Sequence, residues 1–215
     1  MKAGILTDEQ AHAVLATAQA LGPADEALAQ LAINAGLCMT EIAALNTGNL
    51  THHEPAGGRP LHPVAVSTDL ANSAPEYDVQ IRQGKAPRTI RVIEPVARAL
   101  EPWVLLRPAE VPLFPEAATV VGAIDSWHFI LDRAGVVPAT DEDFTQAGRN
   151  RLLAYLIGLE EKGILPTGYA GSYLGLPGMA YDDLPAGWQG EVARAIHNGP
   201  TGAVGDLSAA ETPTD

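Results

Sequence analysis

The sequence is poor in cysteine, in aromatic residues and in positive charge. Cys38 is the one cysteine among 215 residues, which excludes a disulfide framework and a cysteine-rich zinc site. Aromatic residues make up 5% of the chain, and 13 lysines and arginines face 26 aspartates and glutamates, a formal net charge of −13. Binding to nucleic acid through phosphate needs clustered Lys and Arg, so this composition argues against a general nucleic-acid binder.

Long apolar runs that would span a membrane are also missing. Of two charge-free stretches, residues 27–40 are too few to cross a bilayer and residues 164–181 are interrupted by glycine and proline. The N-terminal residues contain no apolar core of a secretory signal. Hydrophobic residues at 47% and charged residues at 18% are typical of a globular chain. We therefore expect a cytoplasmic protein without a membrane partner.

The basic residues are unevenly distributed. Arg82, Lys85, Arg88 and Arg91 fall within ten residues that contain no acid, while the rest of the chain is acidic or neutral. One interpretation is a solvated strand edge, where positive charge deters pairing with another strand. The other is a local patch that faces DNA phosphate. The charges alone slightly favour the first interpretation.

Helix and strand signals alternate along the chain. Thr7 and Gln10 form a capping box that begins a helix ending near Leu21. Polar and apolar residues alternate over 77–82 and 88–93, which predicts a β-hairpin. Further helices are predicted over 26–35 (capped by Asp25), 40–45 (capped by Thr40), 95–106, 120–134, 146–162 and 186–197, with loops over 51–74 and 168–178 apart from a short strand at 64–67. We expect a mainly α fold with a small antiparallel β-sheet (α+β), as one domain over residues 1–197 with a disordered acidic tail over 198–215.

The order of these elements resembles the catalytic domain of the tyrosine recombinase (phage integrase) family. Residues 36–45, Gly-Leu-Cys-Met-Thr-Glu-Ile-Ala-Ala-Leu, are similar to the family's Gly-Leu-Arg-x-Ser/Thr-Glu-Leu-x-x-Leu box. Gly84-Lys85 lies at the turn of the predicted hairpin, where the family has a lysine. Residues 146–149, Gln-Ala-Gly-Arg, resemble the family's His-x-Leu-Arg, and residues 174–176 resemble Leu-Gly-His. The resemblance spans roughly residues 7–197 and implies the integrase catalytic-core fold.

The resemblance also implies a chemistry, phosphoryl transfer without metal or cofactor. In the family a tyrosine attacks a DNA phosphodiester, two arginines and histidines (or Trp) neutralise the phosphate oxygens, and a lysine protonates the leaving oxygen. A dianionic transition state needs the bidentate geometry of guanidinium groups. The matching catalytic positions here are Tyr181, Arg149, Lys85 and Gln146, whereas Cys38 replaces the first arginine and Leu176 replaces the second histidine or Trp. The resemblance therefore implies a vestigial site.

Three functional hypotheses follow from the sequence. The first is a degenerate, non-catalytic recombinase-like protein that binds DNA through the basic hairpin, or binds a protein, as an accessory in recombination, integration or a mobile element. The second is an active site-specific recombinase in which Tyr181 is the nucleophile and Arg88 or Arg151 supplies a second cation. The third is an acidic interaction or regulatory module that has no nucleic-acid role and contacts a basic protein partner.

Structural roles remain alternatives for the same residues. A free cysteine such as Cys38 is more often a small buried hydrophobic residue than a reactive thiol. Arg149 and Lys85 would also fit ordinary salt bridges. Tyr181 precedes two aspartates, and their charge repels DNA phosphate, so a packing role at the entry to a helix fits it better than a nucleophilic one.

Overall fold

The computed structural model describes residues 2–52, 76–83, 87–92, 94–104, 111–137, 142–165 and 167–175. Within these residues it contains seven α-helices and five short strands. The helices are α1 (Asp8–Leu21), α2 (Pro23–Ile33), α3 (Met39–Ala43), α4 (Val96–Val104), α5 (Val120–Arg133), α6 (Ala147–Glu161) and α7 (Tyr169–Tyr173). The strands are β1 (Lys2–Ala3), β2 (Leu50–His52), β3 (Tyr77–Ile81), β4 (Arg88–Val92) and β5 (Glu142–Asp143). The expected combination of helices with a small antiparallel sheet is confirmed.

The first three helices begin at residues whose backbone geometry or side chains suit a helix start. The predicted capping box of α1 is present, and the backbone amide of Gln10 donates to Thr7 Oγ1 at 3.2 Å. Asp25 does not cap α2, because Pro23 already occupies the first turn, where its missing N–H costs nothing. Thr40 does not cap α3 either. Cys38 is extended and takes that position, and the Glu41 carboxylate accepts a hydrogen bond from its amide.

The predicted β-hairpin is confirmed as the antiparallel pair β3–β4, with Tyr77 opposite Val92 and Ile81 opposite Arg88. A third strand, β2, pairs with the other side of β3. Its residues were not predicted as strand, because three residues carry too little alternation to show a period of two. The short strand predicted at 64–67 lies outside the described residues.

Both long helices of the C-terminal half, α5 and α6, have nearly the predicted bounds, and the predicted helix over 95–106 corresponds to α4. The loop predicted over 168–178 is wrong in part, because α7 forms there. Glu160 of α6 accepts hydrogen bonds from the amides of Gly168 and Ala170, at 3.0 and 2.5 Å, and so satisfies the free N–H groups at the start of α7. The predicted helix over 186–197 and the tail over 198–215 lie outside the described residues.

Helix packing brings the candidate site together. A side chain at position 148 of α6 would lie 2.9 Å from the carbonyl oxygen of Ala32 in α2, so Gly148 allows these two helices to approach closely. Gly36, whose φ of +65° suits glycine, turns the chain from α2 towards α3. The start of α6 therefore lies beside the start of α3. No helix in the described part of the chain is long and apolar enough to cross a membrane.

Candidate functional site

A buried carboxylate, Glu41, lies between two arginines from distant parts of the chain. Arg88 Nη1 and Nη2 donate to the two carboxylate oxygens of Glu41 at 2.7 and 3.3 Å, and Arg149 Nη1 donates to Glu41 Oε2 at 2.9 Å. The side chains of Glu41, Arg88 and Arg149 are 3%, 4% and 14% exposed. We call these three residues the arginine–glutamate cluster.

The two guanidinium groups also bind backbone carbonyls. Arg88 Nε donates to the carbonyl oxygen of Tyr173 at 2.6 Å. Arg149 Nη1 donates to the carbonyl of Gly36 at 3.0 Å, and Arg149 Nη2 donates to that of Leu174. Both arginines thus hold the C-terminal end of α7, and Arg149 also holds the turn before α3. Through these hydrogen bonds the cluster connects four elements, α3, β4, α6 and α7.

Local structure explains why these three side chains meet. In β4 alternate residues share a face, so Arg88 lies on the same side as the buried Ile90 and Val92. Glu41 occupies the third position of α3, from which its carboxylate reaches back to the Cys38 amide at 3.0 Å. Arg149 lies in the first turn of α6, which packs against α2 just before the Gly36 turn.

The cluster keeps Glu41 ionised. Burial by itself raises the pKa of the Glu41 carboxyl, but the hydrogen bond and charge of Arg88, the Cys38 amide and the charge of Arg149 together lower it below its usual range. Two guanidinium groups and one carboxylate leave one net positive charge in the cluster. Most of the guanidinium N–H groups that carry this charge donate hydrogen bonds to acceptors of the protein itself.

Cys38, at the position of the first arginine in the resemblance, lies beside the cluster. Its side chain is partly buried. Burial raises the pKa of the Cys38 thiol, and the neighbouring Glu41 charge raises it further, against the opposing effect of Arg149. The thiol therefore stays protonated near neutral pH, which argues against a reactive thiolate. A neutral thiol also cannot replace a guanidinium group in binding a phosphate.

Gln146, at the position of the first histidine, is the residue immediately before α6. Its side chain makes no capping hydrogen bond to the helix. Its Oε1 atom is buried, and the described residues offer that atom no hydrogen-bond donor. A buried acceptor without a partner is uncommon in a native protein, and this one lies one helical turn before Arg149.

The structure brings together only some of the residues singled out by sequence. Cys38 and Arg149 meet at Glu41, and Gln146 lies at the same end of α6. Lys85, Leu176 and Tyr181 lie outside the described residues, so their roles remain predictions. Arg151, proposed as an alternative cation, instead pairs with Asp8 at 2.8 Å.

The basic hairpin does not present its arginines on one exposed surface. Arg88 is buried against Glu41, and Arg91, on the opposite face of β4, pairs with Asp78 through a contact of 3.2 Å. Arg82 is exposed and donates to Gln80 Oε1 at 3.0 Å. This arrangement argues against Arg88 as a DNA contact, because its guanidinium group is enclosed by protein acceptors.

Glu41 is not among the site residues predicted from the sequence, and the predicted position of Arg88 is on the surface. Two signals were available. Glu41 directly follows the charge-free run over 27–40, which places a carboxylate next to the core. In a β-strand Arg88, Ile90 and Val92 lie on the same face, so a correct hairpin prediction places the Arg88 side chain towards the core.

Comparisons with known proteins do not identify a family for this chain. The chain matches no protein-family model, no curated protein and no solved structure. Among the described residues, no group of three or more His, Cys, Asp or Glu side chains is arranged to hold a metal ion. The functional interpretation therefore depends on the residues of the cluster themselves.

Proposed function

We propose that this chain is a degenerate tyrosine-recombinase-like protein with the integrase catalytic-core fold. In this proposal it is non-catalytic and acts as a DNA- or protein-binding accessory in DNA recombination, integration or a mobile element. The observation that carries the proposal is the meeting of Cys38 and Arg149 at Glu41. In the resemblance these positions belong to the first box and to the His-x-Leu-Arg motif, which must share one site for phosphoryl transfer.

The hydrogen bonds of the two arginines support a non-catalytic role. A phosphate clamp needs guanidinium donors that are free to receive the phosphate oxygens. Arg88 instead donates to Glu41 and Tyr173, and Arg149 donates to Glu41 and to two backbone carbonyls. Arg88 binds the same carboxylate as Arg149, but a side chain only 4% exposed does not reach a DNA phosphate.

The replaced positions support the same conclusion. Losing one preorganised donor to a developing oxyanion reduces the rate by about 10²–10³, although such effects are not additive. Cys38 replaces a guanidinium with a neutral thiol, and Gln146 replaces a histidine with an amide that cannot transfer a proton. Leu176 offers no donor at a third position. These replacements together leave too few donors to stabilise the transition state.

A covalent-trapping experiment tests the absence of catalysis. The full chain is incubated with nicked suicide duplexes whose central sequence is randomised, so that an unknown target site is represented in the pool, and products are separated under denaturing conditions. We expect no covalent protein–DNA adduct from the wild-type chain. An adduct that disappears in Tyr181→Phe would overturn the proposal and establish the active-recombinase alternative. An established tyrosine recombinase acting on its own suicide substrate controls for the trapping conditions.

A further inference from the structure

The outer face of α5 carries much of the apolar surface that the protein exposes. Seven large apolar side chains are exposed in the described part of the chain, and four of them lie in α5 or within four residues of its end: Val120, Val121, Phe129 and Val137. The opposite face of this helix, which includes the buried Trp127, packs against α1, α2 and α3. Apolar side chains that are concentrated on one exposed face typically mark an interaction surface.

Four exposed residues of α5 follow one another at intervals of four and form a row along the helix: Val121, Asp125, Phe129 and Arg133. We call them the α5 row. Residues four apart are neighbours on a helix surface. The structure shows this directly for Arg133, whose guanidinium carbon lies 5.1 Å from the centre of the Phe129 ring. An acid and a base therefore stand one helical turn to either side of the aromatic residue.

The two charged residues of the α5 row cannot pair with each other within one chain. Asp125 and Arg133 are eight residues apart, which places them about 12 Å from each other along the helix axis. Among the described residues neither side chain forms an ion pair with another group. An acid and a base that are equally distant from a central aromatic residue complement the same row when it runs in the opposite direction. The pattern of charge therefore matches a second copy of this helix.

We propose that two copies of this chain associate through the α5 row, with their α5 helices antiparallel about a two-fold axis that passes beside Phe129. This symmetry pairs Asp125 of each copy with Arg133 of the other and brings the two Phe129 rings together, so that one surface matches itself. Arg133 covers part of the Phe129 ring, but this residue remains 45% exposed and can contact its counterpart. The association is independent of the proposed recombinase-like function, since the row contains no residue of the arginine–glutamate cluster.

Two features of the charge distribution keep this dimer weak. Each copy has a net charge of −13, so two copies repel each other at long range, and salt screens that repulsion. Asp132 is exposed next to Arg133, and it brings a like charge close to Asp125 of the second copy. At about 0.15 M salt, where the Debye length is about 8 Å, we expect a dissociation constant of about 10–100 µM.

Sedimentation equilibrium of the full chain, at micromolar to millimolar concentrations, tests the proposed charge pairs. Asp125→Arg alone should weaken dimerisation by about tenfold or more, because both ion pairs become contacts between like charges, and Arg133→Asp alone should do the same. The double variant Asp125→Arg/Arg133→Asp restores opposite charges and should return the dissociation constant to within about threefold of the wild-type value. An equimolar mixture of the two single variants should form a heterodimer, because a row with two bases then meets a row with two acids.

A matched pair of alanine variants tests the aromatic centre of the row in the same assay. Phe129→Ala removes the ring that lies beside the two-fold axis and should weaken dimerisation by about tenfold. Ile157→Ala is the control, since Ile157 is a large apolar residue of α6 with a similar exposure of 42%, and it should stay within about twofold of wild type. Urea denaturation of each variant shows whether the monomer keeps its stability.

Three results would overturn the proposal. One is a chain that stays monomeric at every concentration, which is expected if another segment of the chain or a different partner covers the α5 row. Another is a dimer that neither single charge variant weakens, which would place the interface elsewhere. The last is a failure of both the double variant and the mixture to restore dimerisation. None of these results bears on the covalent-trapping experiment, so failure here leaves the proposed function standing.

Discussion

Replacing Glu41 with glutamine is expected to lower the free energy of unfolding by about 3–5 kcal/mol, because removing one member of a buried ion cluster leaves the remaining charges unpaired. Arg88 and Arg149 would then face each other without the carboxylate that now binds both. Urea denaturation of the full chain at pH 7 measures the effect as a lower midpoint with an unchanged slope. Asp8→Asn provides the contrast, since the Arg151–Asp8 pair has an exposed carboxylate and should contribute less than about 1 kcal/mol.

The difference in the free energy of unfolding between wild type and Glu41→Gln should become smaller as the pH falls. The folded-state pKa of Glu41 is lowered. Its contribution to stability is therefore complete above the ordinary pKa of a glutamate carboxyl, and it is lost as the pH falls through the lower folded-state value. Glutamine cannot titrate, so the two unfolding free energies should converge in acid. A difference that stays constant from neutral to acidic pH would contradict the assignment of the stabilisation to the ionised carboxylate.

Two arginines of β4 should respond very differently to replacement by methionine, which keeps an unbranched chain but removes the charge. Arg88→Met is expected to lower the free energy of unfolding by about 2–3 kcal/mol, through the loss of hydrogen bonds to Glu41 and to the Tyr173 carbonyl. The cost stays below that of Glu41→Gln because Arg149 still neutralises the carboxylate. Arg91→Met removes a partly exposed pair with Asp78 and should change stability by less than about 1 kcal/mol.

The comparison of Arg88→Met with Arg91→Met is made by denaturation under identical conditions. Because the two residues lie on opposite faces of the same strand, each variant is a matched control for the other. Equal destabilisation, or a larger effect from Arg91→Met, would show that Arg88 does not stabilise the core through Glu41.

The sequence was sufficient where a local pattern specifies the structure. The capping box of Thr7 and Gln10 and the alternation that produces β3 and β4 both act through neighbours within a few residues. The charge of Arg88 favoured the surface position that the sequence predicted, whereas the alternation with Ile90 and Val92 places its side chain on the inner face of β4. Burial overrode that preference because a distant carboxylate compensates the charge.

The remaining features depend on contacts between distant residues. Helix α7 is short and has no local cap, and Glu160 of the preceding helix binds its free amides. Arg149 reaches Glu41 across 108 residues of sequence, and Arg88 reaches it across 47. No local pattern specifies such pairings. The resemblance placed Cys38 and Arg149 in one site, but it did not indicate that Glu41 would bind both arginines.

The most direct test of the account asks whether the guanidinium groups of Arg88 and Arg149 bind acceptors within this chain or the phosphates of DNA. The guanidinium carbon signals of both residues are assigned from Arg88→Lys and Arg149→Lys variants and followed by ¹³C NMR while duplex DNA is added to the full chain. Because both groups donate to Glu41 and to backbone carbonyls, we predict that neither signal shifts, even if signals elsewhere respond to the DNA. A saturable shift of the Arg149 signal, with weaker DNA binding in Arg149→Lys, would show that the cluster still serves as a phosphate clamp and would contradict the account.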